Sequence, residues 1–186
     1  MHQDLERILF QEDEIVAGIE RLARDLTAYY SGRRLTVVSV LKGSILFAAD
    51  LVRRLPLPLE MAFVSAASYG AGSSPGELSV SLIPRQGELA GRDVLLVDDI
   101  LDTGATLSAL VAELQSHAAR EVRTCVFLDK RARRSVELEP DWRCFEIDDA
   151  FVVGYGLDFA GRYRNLPFVA ALKPEVLAGS AAGGGA

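Results

Sequence analysis

Lysine is nearly absent from this chain: Lys42, Lys130 and Lys173 stand against seventeen arginines. Histidine is as scarce, and His2 and His117 alone cannot build a histidine-rich metal centre. Two cysteines, Cys125 and Cys144, form neither a disulfide framework nor a metal-binding spacing, which suits a reducing compartment. No apolar run approaches the ~18 residues needed to span a bilayer. The opening MHQDLERILFQEDE is acidic and lacks the basic-then-apolar layout of a signal peptide. Positive charge is also short, with 20 basic against 26 acidic residues and a net charge of −6. Bulk electrostatics therefore favours neither nucleic acid nor an anionic membrane as partner. The expectation is a soluble cytoplasmic protein.

What remains is enough for one well-packed domain. A chain of 186 residues buries roughly 70% of its unfolded surface without staples. Hydrophobic and charged fractions of 49% and 25% sit at globular averages, which excludes a disordered or fibrous chain. Residues 4–30 carry Ile15, Ile19, Leu22, Leu26 and Tyr29 at spacings of three and four and read as a helix stopped at Ser31-Gly32. Leu35–Val40 is short and β-branched, hence a strand; Ile45–Leu55 reads as helix, ended by Pro56 and Pro58. Glu60–Ala67 reads as a strand, Asp93–Val97 as a buried parallel strand, the stretch after Gly104 as a helix and Val122–Leu128 as a further strand. Alternating strand and helix across 35–128 points to a parallel sheet covered on both faces.

Three stretches break this rhythm. Residues 68–91 hold five glycines and two prolines around an alternating Leu78–Leu82, which reads as a mobile loop carrying a short β-hairpin arm. Beyond 130 the strands are short: Trp142–Ile147, Phe151–Val153 and Phe168–Leu172. The Gly/Ala-rich segment 177–186 reads as a flexible tail.

The richest chemistry lies in Val94–Thr106, VLLVDDILDTGAT. A buried strand ends in Asp98 and Asp99, a third carboxylate follows at Asp102, and Thr103-Gly104-Ala105-Thr106 opens a helix. Ligands of parallel α/β sheets bind at the carboxyl ends of strands, and the free amides of a helix start cradle phosphate. Gly104 permits close approach, and Thr103 and Thr106 add hydroxyl donors. Acids beside a phosphate cradle make sense opposite ribose hydroxyls or Mg²⁺, as a ribose 5-phosphate would provide. A solvated acidic loop is the plain alternative for LLVDD alone. The acidic strand of a P-loop NTPase is another, but no glycine-rich loop ending GK[ST] is present.

The thirteen-residue string closely resembles the phosphoribosyl pyrophosphate (PRPP) signature of type I phosphoribosyltransferases. Further segments resemble the hypoxanthine-guanine branch: Leu41-Lys42-Gly43-Ser44 its pyrophosphate loop, Ser68-Tyr69 its lid, and Leu128-Asp129-Lys130-Arg131 its purine-reading lysine segment. Phe151-Val152-Val153-Gly154-Tyr155-Gly156-Leu157-Asp158 followed by Arg164 resembles its base-stacking strand and pyrophosphate arginine. Ser44 stands where some relatives carry glycine, and Ala105 where a longer side chain is common.

The resemblance implies an α/β fold with a central five-stranded parallel sheet. The core would span about 33–130, with a small hood from the terminal segments and a lid over 68–91, in a single domain over 1–176. It implies transfer of the phosphoribosyl group from PRPP to a 6-oxopurine with Mg²⁺ as cofactor, by a homodimer or homotetramer that binds neither nucleic acid nor membrane. PRPP would contact Asp98, Asp99, Asp102, Thr103, Gly104, Ala105 and Thr106. Pyrophosphate would contact Lys42, Gly43 and Arg164, with the Leu41–Lys42 peptide cis. The purine would meet Lys130, Phe151, Val152 and Asp158, the metal Asp98, Asp99 and Asp158. Asp102 would be the general base. An RNA-binding regulator on the same fold, or an enzyme for adenine or xanthine, are the alternatives.

The residues also bear a reading of their own. A chain so rich in arginine that keeps a lysine suggests need of a compact, movable ammonium, or chance retention at the surface. By itself Phe151 reads as core and Arg164 as a solvated arginine. The basic run Lys130–Arg134, followed at once by Glu137, Glu139 and Asp141, reads as a solvated face.

Overall fold

Uninterrupted apolar strands need cover on both faces, and two helical layers supply it. The structure is a computed structural model describing residues 2–68, 78–85 and 87–182. The chain runs β1 (Leu5–Phe10), α1 (Glu12–Tyr30), β2 (Leu35–Leu41), α2 (Ile45–Val52), β3 (Leu59–Ser68) and β4 (Leu78–Ser81). It continues through β5 (Asp93–Leu101), α3 (Ala105–Ser116), β6 (Glu121–Lys130), β7 (Trp142–Ile147), β8 (Val152–Val153), β9 (Val169–Leu172) and α4 (Pro174–Ala182).

The main sheet has the order β4-β3-β2-β5-β6-β7. Its five strands β3, β2, β5, β6 and β7 are parallel, and β4 adds an antiparallel edge to β3. Side chains alternate along β5. Leu95 and Val97 enter a core with Ile19, Leu26 and Phe47 of α1 and α2, whereas Val94 and Leu96 enter one with Leu107, Leu110 and Leu114 of α3. A separate antiparallel sheet, β1-β9-β8, joins the two ends of the chain around Leu5, Val153, Phe168 and Leu172.

Four boundaries depart from expectation. Residues 5–10 are strand rather than helix, because β1 finds its hydrogen-bonding partners at 169–172, which local periodicity cannot report. The helix begins at Glu12 under a capping box in which the Gln11 amide donates to Glu14 Oε2 at 2.8 Å. The sheet does not stop at 130: its fifth parallel strand is β7, paired with β6 from Cys125 to Lys130. Finally, 177–182 belong to α4, not to a tail. Pro174 opens the helix, alanines favour it, and Val176 and Leu177 pack on the terminal sheet's core. No helix among the described residues is long and apolar enough to cross a membrane.

Candidate active site

Parallel strands end on one edge, so the sheet gathers residues that lie far apart in sequence. Lys42 follows β2, Asp98 and Asp99 lie near the end of β5 with Asp102 just beyond it, and Lys130 is the last residue of β6. Gly104 precedes α3 at φ 85°, and no side chain caps that helix. Its first-turn amides therefore stay open beside Thr103 and Ala105, both exposed, and the half-buried Thr106. The Ala105 amide makes only a long bond, 3.4 Å, to Thr103 Oγ1.

The carboxylates are tuned by burial. Desolvation, with the adjacent Asp99 charge, holds the Asp98 carboxyl well above the usual range. Desolvation also raises Asp99, opposed in part by Arg164. The Lys42–Gly43 turn is fitted tightly to this pair: a Cβ on Gly43 would lie 1.6 Å from Asp99 Oδ2. The Leu41–Lys42 peptide is cis. Ser44 is buried, donates its hydroxyl to the Val40 carbonyl at 2.6 Å and meets Ser39 Oγ at 2.7 Å, so a serine fits where glycine is an alternative.

Asp99, Asp102, Lys130, Phe151, Val152 and Asp158 line one cavity of about 230 Å³. Lys130 is 5% exposed. Its Nζ lies 2.7 Å from Asp149 Oδ1, donates to the Ala150 carbonyl at 3.3 Å, and stands 4.0 Å from Asp102 Oδ2. Asp102 Oδ1 is buried with no hydrogen-bond partner, and Arg133 Nη1 approaches Oδ2 at 3.5 Å. Phe151, alone read as core, is 42% exposed and meets Phe159 edge-to-face. Val152 beside it is buried. Arg164 is not a lone solvated arginine: it pairs with Asp158 at 2.5 Å and donates to the Gly156 carbonyl. A roomier hollow of about 510 Å³, bounded by α1, Arg54 and Pro56, contains none of these residues.

Of the three expected metal carboxylates, Asp99 and Asp158 line the same cavity and Asp98 is not among its lining residues. Among the described residues no cluster of three or more acidic, histidine or cysteine side chains is placed to hold an ion. Asp158 is engaged by Arg164 and by the Gly161 amide. Ser68 closes β3, while Tyr69 and most of the expected lid's first half lie outside the described residues.

The basic run after β6 is not a solvated face throughout. Arg134, with its side chain 12% exposed, donates to the Asp102 carbonyl at 3.1 Å, to the buried Asp129 carboxylate and to the Leu138 carbonyl. The Ser135 amide donates to the Thr103 carbonyl at 2.9 Å. Arg134 thus braces the loop that carries Asp102. Its sequence signal was Asp129, a carboxylate in an apolar strand that needs a cationic partner. Asp149, which holds Lys130, carried no such signal.

The edge of the sheet thus joins an uncapped helix start, buried acids and a cavity lined by Lys130. The family model for the phosphoribosyl transferase domain matches residues 7–160. Hypoxanthine-guanine phosphoribosyltransferase of Bacillus subtilis is 40% identical over 177 residues, covering 95% of this chain and 98% of that one. The bifunctional TilS/HprT protein of Listeria monocytogenes is 46% identical over 95% of this chain, which spans 27% of that relative's length. Among solved structures, the hypoxanthine phosphoribosyltransferase of Staphylococcus aureus is 39% identical, with TM-score 0.88 over 95% of this chain and 96% of that one. That of Trypanosoma cruzi is 37% identical, with TM-score 0.91 over 98% of each chain. The chain belongs to the hypoxanthine-guanine phosphoribosyltransferases of this family.

Proposed function

We propose that the protein transfers the 5-phosphoribosyl group of PRPP to N9 of hypoxanthine or guanine, giving IMP or GMP and pyrophosphate, in purine salvage. The observation that carries this reading is the meeting of Asp102, the buried Lys130 and the Phe151 ring around one cavity. The bond from C1′ of the ribose to pyrophosphate breaks as the bond to N9 forms, so positive charge develops on the ribose. Asp99, and Asp98 once its proton is lost, would stabilise that charge, and the open amides of Gly104, Ala105 and Thr106, with the Thr103 hydroxyl, would hold the 5′-phosphate. Asp102 would accept the purine's N7 proton as general base. Lys130 would donate to the 6-oxo oxygen, Phe151 would stack on the base, and the Val152 backbone and Asp158 would meet its edge. Lys42, Gly43 and Arg164 would hold the departing pyrophosphate. Ser68 and Tyr69 would close over the reacting centre.

Mg²⁺ fits the donor set in the manner usual for this ion, which binds through one or two carboxylates and completes its shell with substrate phosphates and water. Asp99 and Asp158 on the cavity wall would supply the protein's share, with Asp98 behind them. Bound there, the ion would neutralise charge on the leaving pyrophosphate. We place the protein in the cytoplasm, where its free, buried thiols Cys125 and Cys144 would remain reduced. Self-association into a homodimer or homotetramer is supported by the exposed apolar side chains Ile45, Leu46, Met61 and Phe63.

An RNA-binding role finds less support, because Lys130 and Arg134 of the basic run face inward. Incubating the protein with PRPP, Mg²⁺ and each purine in turn, and following pyrophosphate release, tests the reading. Turnover is expected with hypoxanthine and guanine and almost none with adenine; turnover with no purine would overturn it.

A further inference from the structure

The proposed pyrophosphate end of the site is assembled from two parts of the chain that no short connection holds together. Lys42 and Gly43 follow β2, whereas Asp158 and Arg164 lie in the loop between β8 and β9. Two contacts bring them into register. Gly156, at φ 97°, lies directly on the first turn: a Cβ there would sit 2.1 Å from the Gly43 carbonyl oxygen. One residue earlier, the Tyr155 hydroxyl donates to Asp50 Oδ2 at 2.6 Å. Asp50 is on α2, the helix that begins at Ile45, directly after the Lys42-Gly43-Ser44 turn.

Tyr155 is an unexpected residue at this point. Its φ is 48°, and Gly154 and Gly156 on either side are at 97°. A bulky L side chain in that region crowds its own backbone, so the turn by itself favours glycine or asparagine. The side chain must answer a different need. Its ring is buried against Phe127, with centroids 5.0 Å apart. Burial and the Asp50 carboxylate hold its hydroxyl protonated well beyond the usual tyrosine range. From the next residue Arg164 is suspended: the Gly156 carbonyl accepts from Arg164 Nη1 at 2.5 Å, and the Gly156 amide donates to the Arg164 carbonyl at 3.0 Å. Asp50 is fixed in turn by Arg53 at 2.5 Å. The chain of contacts runs without a gap from α2 through Tyr155 and Gly156 to Arg164 and its partner Asp158.

We propose that the Tyr155–Asp50 hydrogen bond is a positioning device for the pyrophosphate end of the site, setting Arg164 against the Lys42–Gly43 turn. Neither residue touches substrate. The inference rests on the reading of Lys42, Gly43 and Arg164 given above. It assigns the bond to the affinity for PRPP and pyrophosphate and not to the affinity for the purine.

Tyr155→Phe removes only the hydroxyl and keeps the ring on Phe127. Asp50→Ala removes the acceptor from the helix side, and Asp50→Asn retains a carbonyl oxygen that can accept. Both Tyr155→Phe and Asp50→Ala are expected to raise KM for PRPP and the dissociation constant of inorganic pyrophosphate about tenfold, the scale of one hydrogen bond to a charged group. KM for hypoxanthine should stay within about twofold. The double variant should be no worse than the poorer single one, and Asp50→Asn should recover most of the loss. A lower melting temperature with unchanged PRPP and pyrophosphate constants would overturn the proposal, as would equal losses for both substrates. Should Tyr155→Phe fail to fold, the two Asp50 variants decide the matter alone. Calorimetric titration of the wild type with PRPP separates this inference from the assigned reaction. Binding without turnover of any purine would defeat the reaction and leave the bond to be judged by affinity. Absence of PRPP and pyrophosphate binding would defeat both.

Discussion

Replacing Lys130 by alanine should cost activity on oxopurines and, with it, most of the discrimination against adenine. The ammonium has three donors and no acceptor. Asp149 and the Ala150 carbonyl take two of them, at 2.7 and 3.3 Å, which leaves one for the base. A charge-assisted hydrogen bond to the 6-oxo oxygen contributes roughly 1.5–3 kcal/mol, so its loss lowers kcat/KM for hypoxanthine and guanine by about 10- to 150-fold. Little offsetting cost arises from Asp149, which is 57% exposed on its side chain and regains water. Adenine presents an amino group to the same 6% exposed ammonium. Unmatched polar groups in such sites discriminate by ~10⁴–10⁵. In the alanine variant no ammonium is left to mismatch, so kcat/KM for adenine should hold steady or rise and the ratio should fall by at least the same roughly 10- to 150-fold. The assay is initial-rate kinetics with hypoxanthine, guanine and adenine at saturating PRPP and Mg²⁺. Use of adenine by the wild type within about tenfold of hypoxanthine would refute the role of Lys130. So would a variant that loses oxopurine activity yet keeps the full ratio.

Other perturbations reach different parts of the site. Asp102→Asn should reduce kcat by ~10²–10⁴, the usual contribution of a general base, while PRPP affinity measured by titration changes little. Gly43→Ala would drive a Cβ into the Asp99 carboxylate, and displacement of that group should lower kcat/KM for PRPP by roughly 10²-fold with the far-ultraviolet circular dichroism unchanged. Asp98 binds its proton more tightly in the folded protein than in the unfolded chain, where the carboxyl titrates near 3.8. The folded state therefore carries more protons above that value, and stability falls as pH rises through the window above it, by up to about 1.4 kcal/mol per pH unit. Asp98→Asn should flatten that slope and raise the melting temperature at neutral pH while abolishing most turnover; thermal melts from pH 5 to 8 measure it.

The parallel core was legible because its causes are local. Leu35–Val40 and Asp93–Val97 are β-branched or solidly apolar, and a strand ending in VDD before a Thr-Gly turn marks the edge where ligands bind. The structure draws the same residues to that edge and lines one cavity with six of the expected side chains. What the sequence hid was set at a distance. LERILF at the start suits a helix until its partners at 169–172 are known. Arg134 looked like one more solvated arginine because the carbonyl of Asp102 and the carboxylate of Asp129, which it joins, meet only across the fold. Tyr155 carried no signal of its own within FVVGYGLD, since nothing in the string reveals that α2 brings Asp50 to its hydroxyl. Segment 177–182 followed composition, whereas Val176 and Leu177 anchor its helix on the terminal sheet.

The pairing of β1 with β9 governs the order in which the protein can be made. Leu5–Phe10 emerges from the ribosome well ahead of Val169–Leu172 and must wait for that strand before its backbone is satisfied. The tie is reinforced by Tyr163, whose hydroxyl donates to Asp4 Oδ2 at 2.8 Å across 159 residues of sequence. Contacts of such separation form late, because the entropy of closing the loop must be met before they reward it. The five parallel strands are all present by residue 147, with the uncapped start of α3 among them, although Val152, Tyr155, Leu157 and Val169 have still to complete the core beneath α1 and α2. Val152 and its neighbours, which wall the base cavity, settle only once β9 arrives. On the function proposed above, the phosphate end of the site is thus encoded ahead of the part that would select the purine.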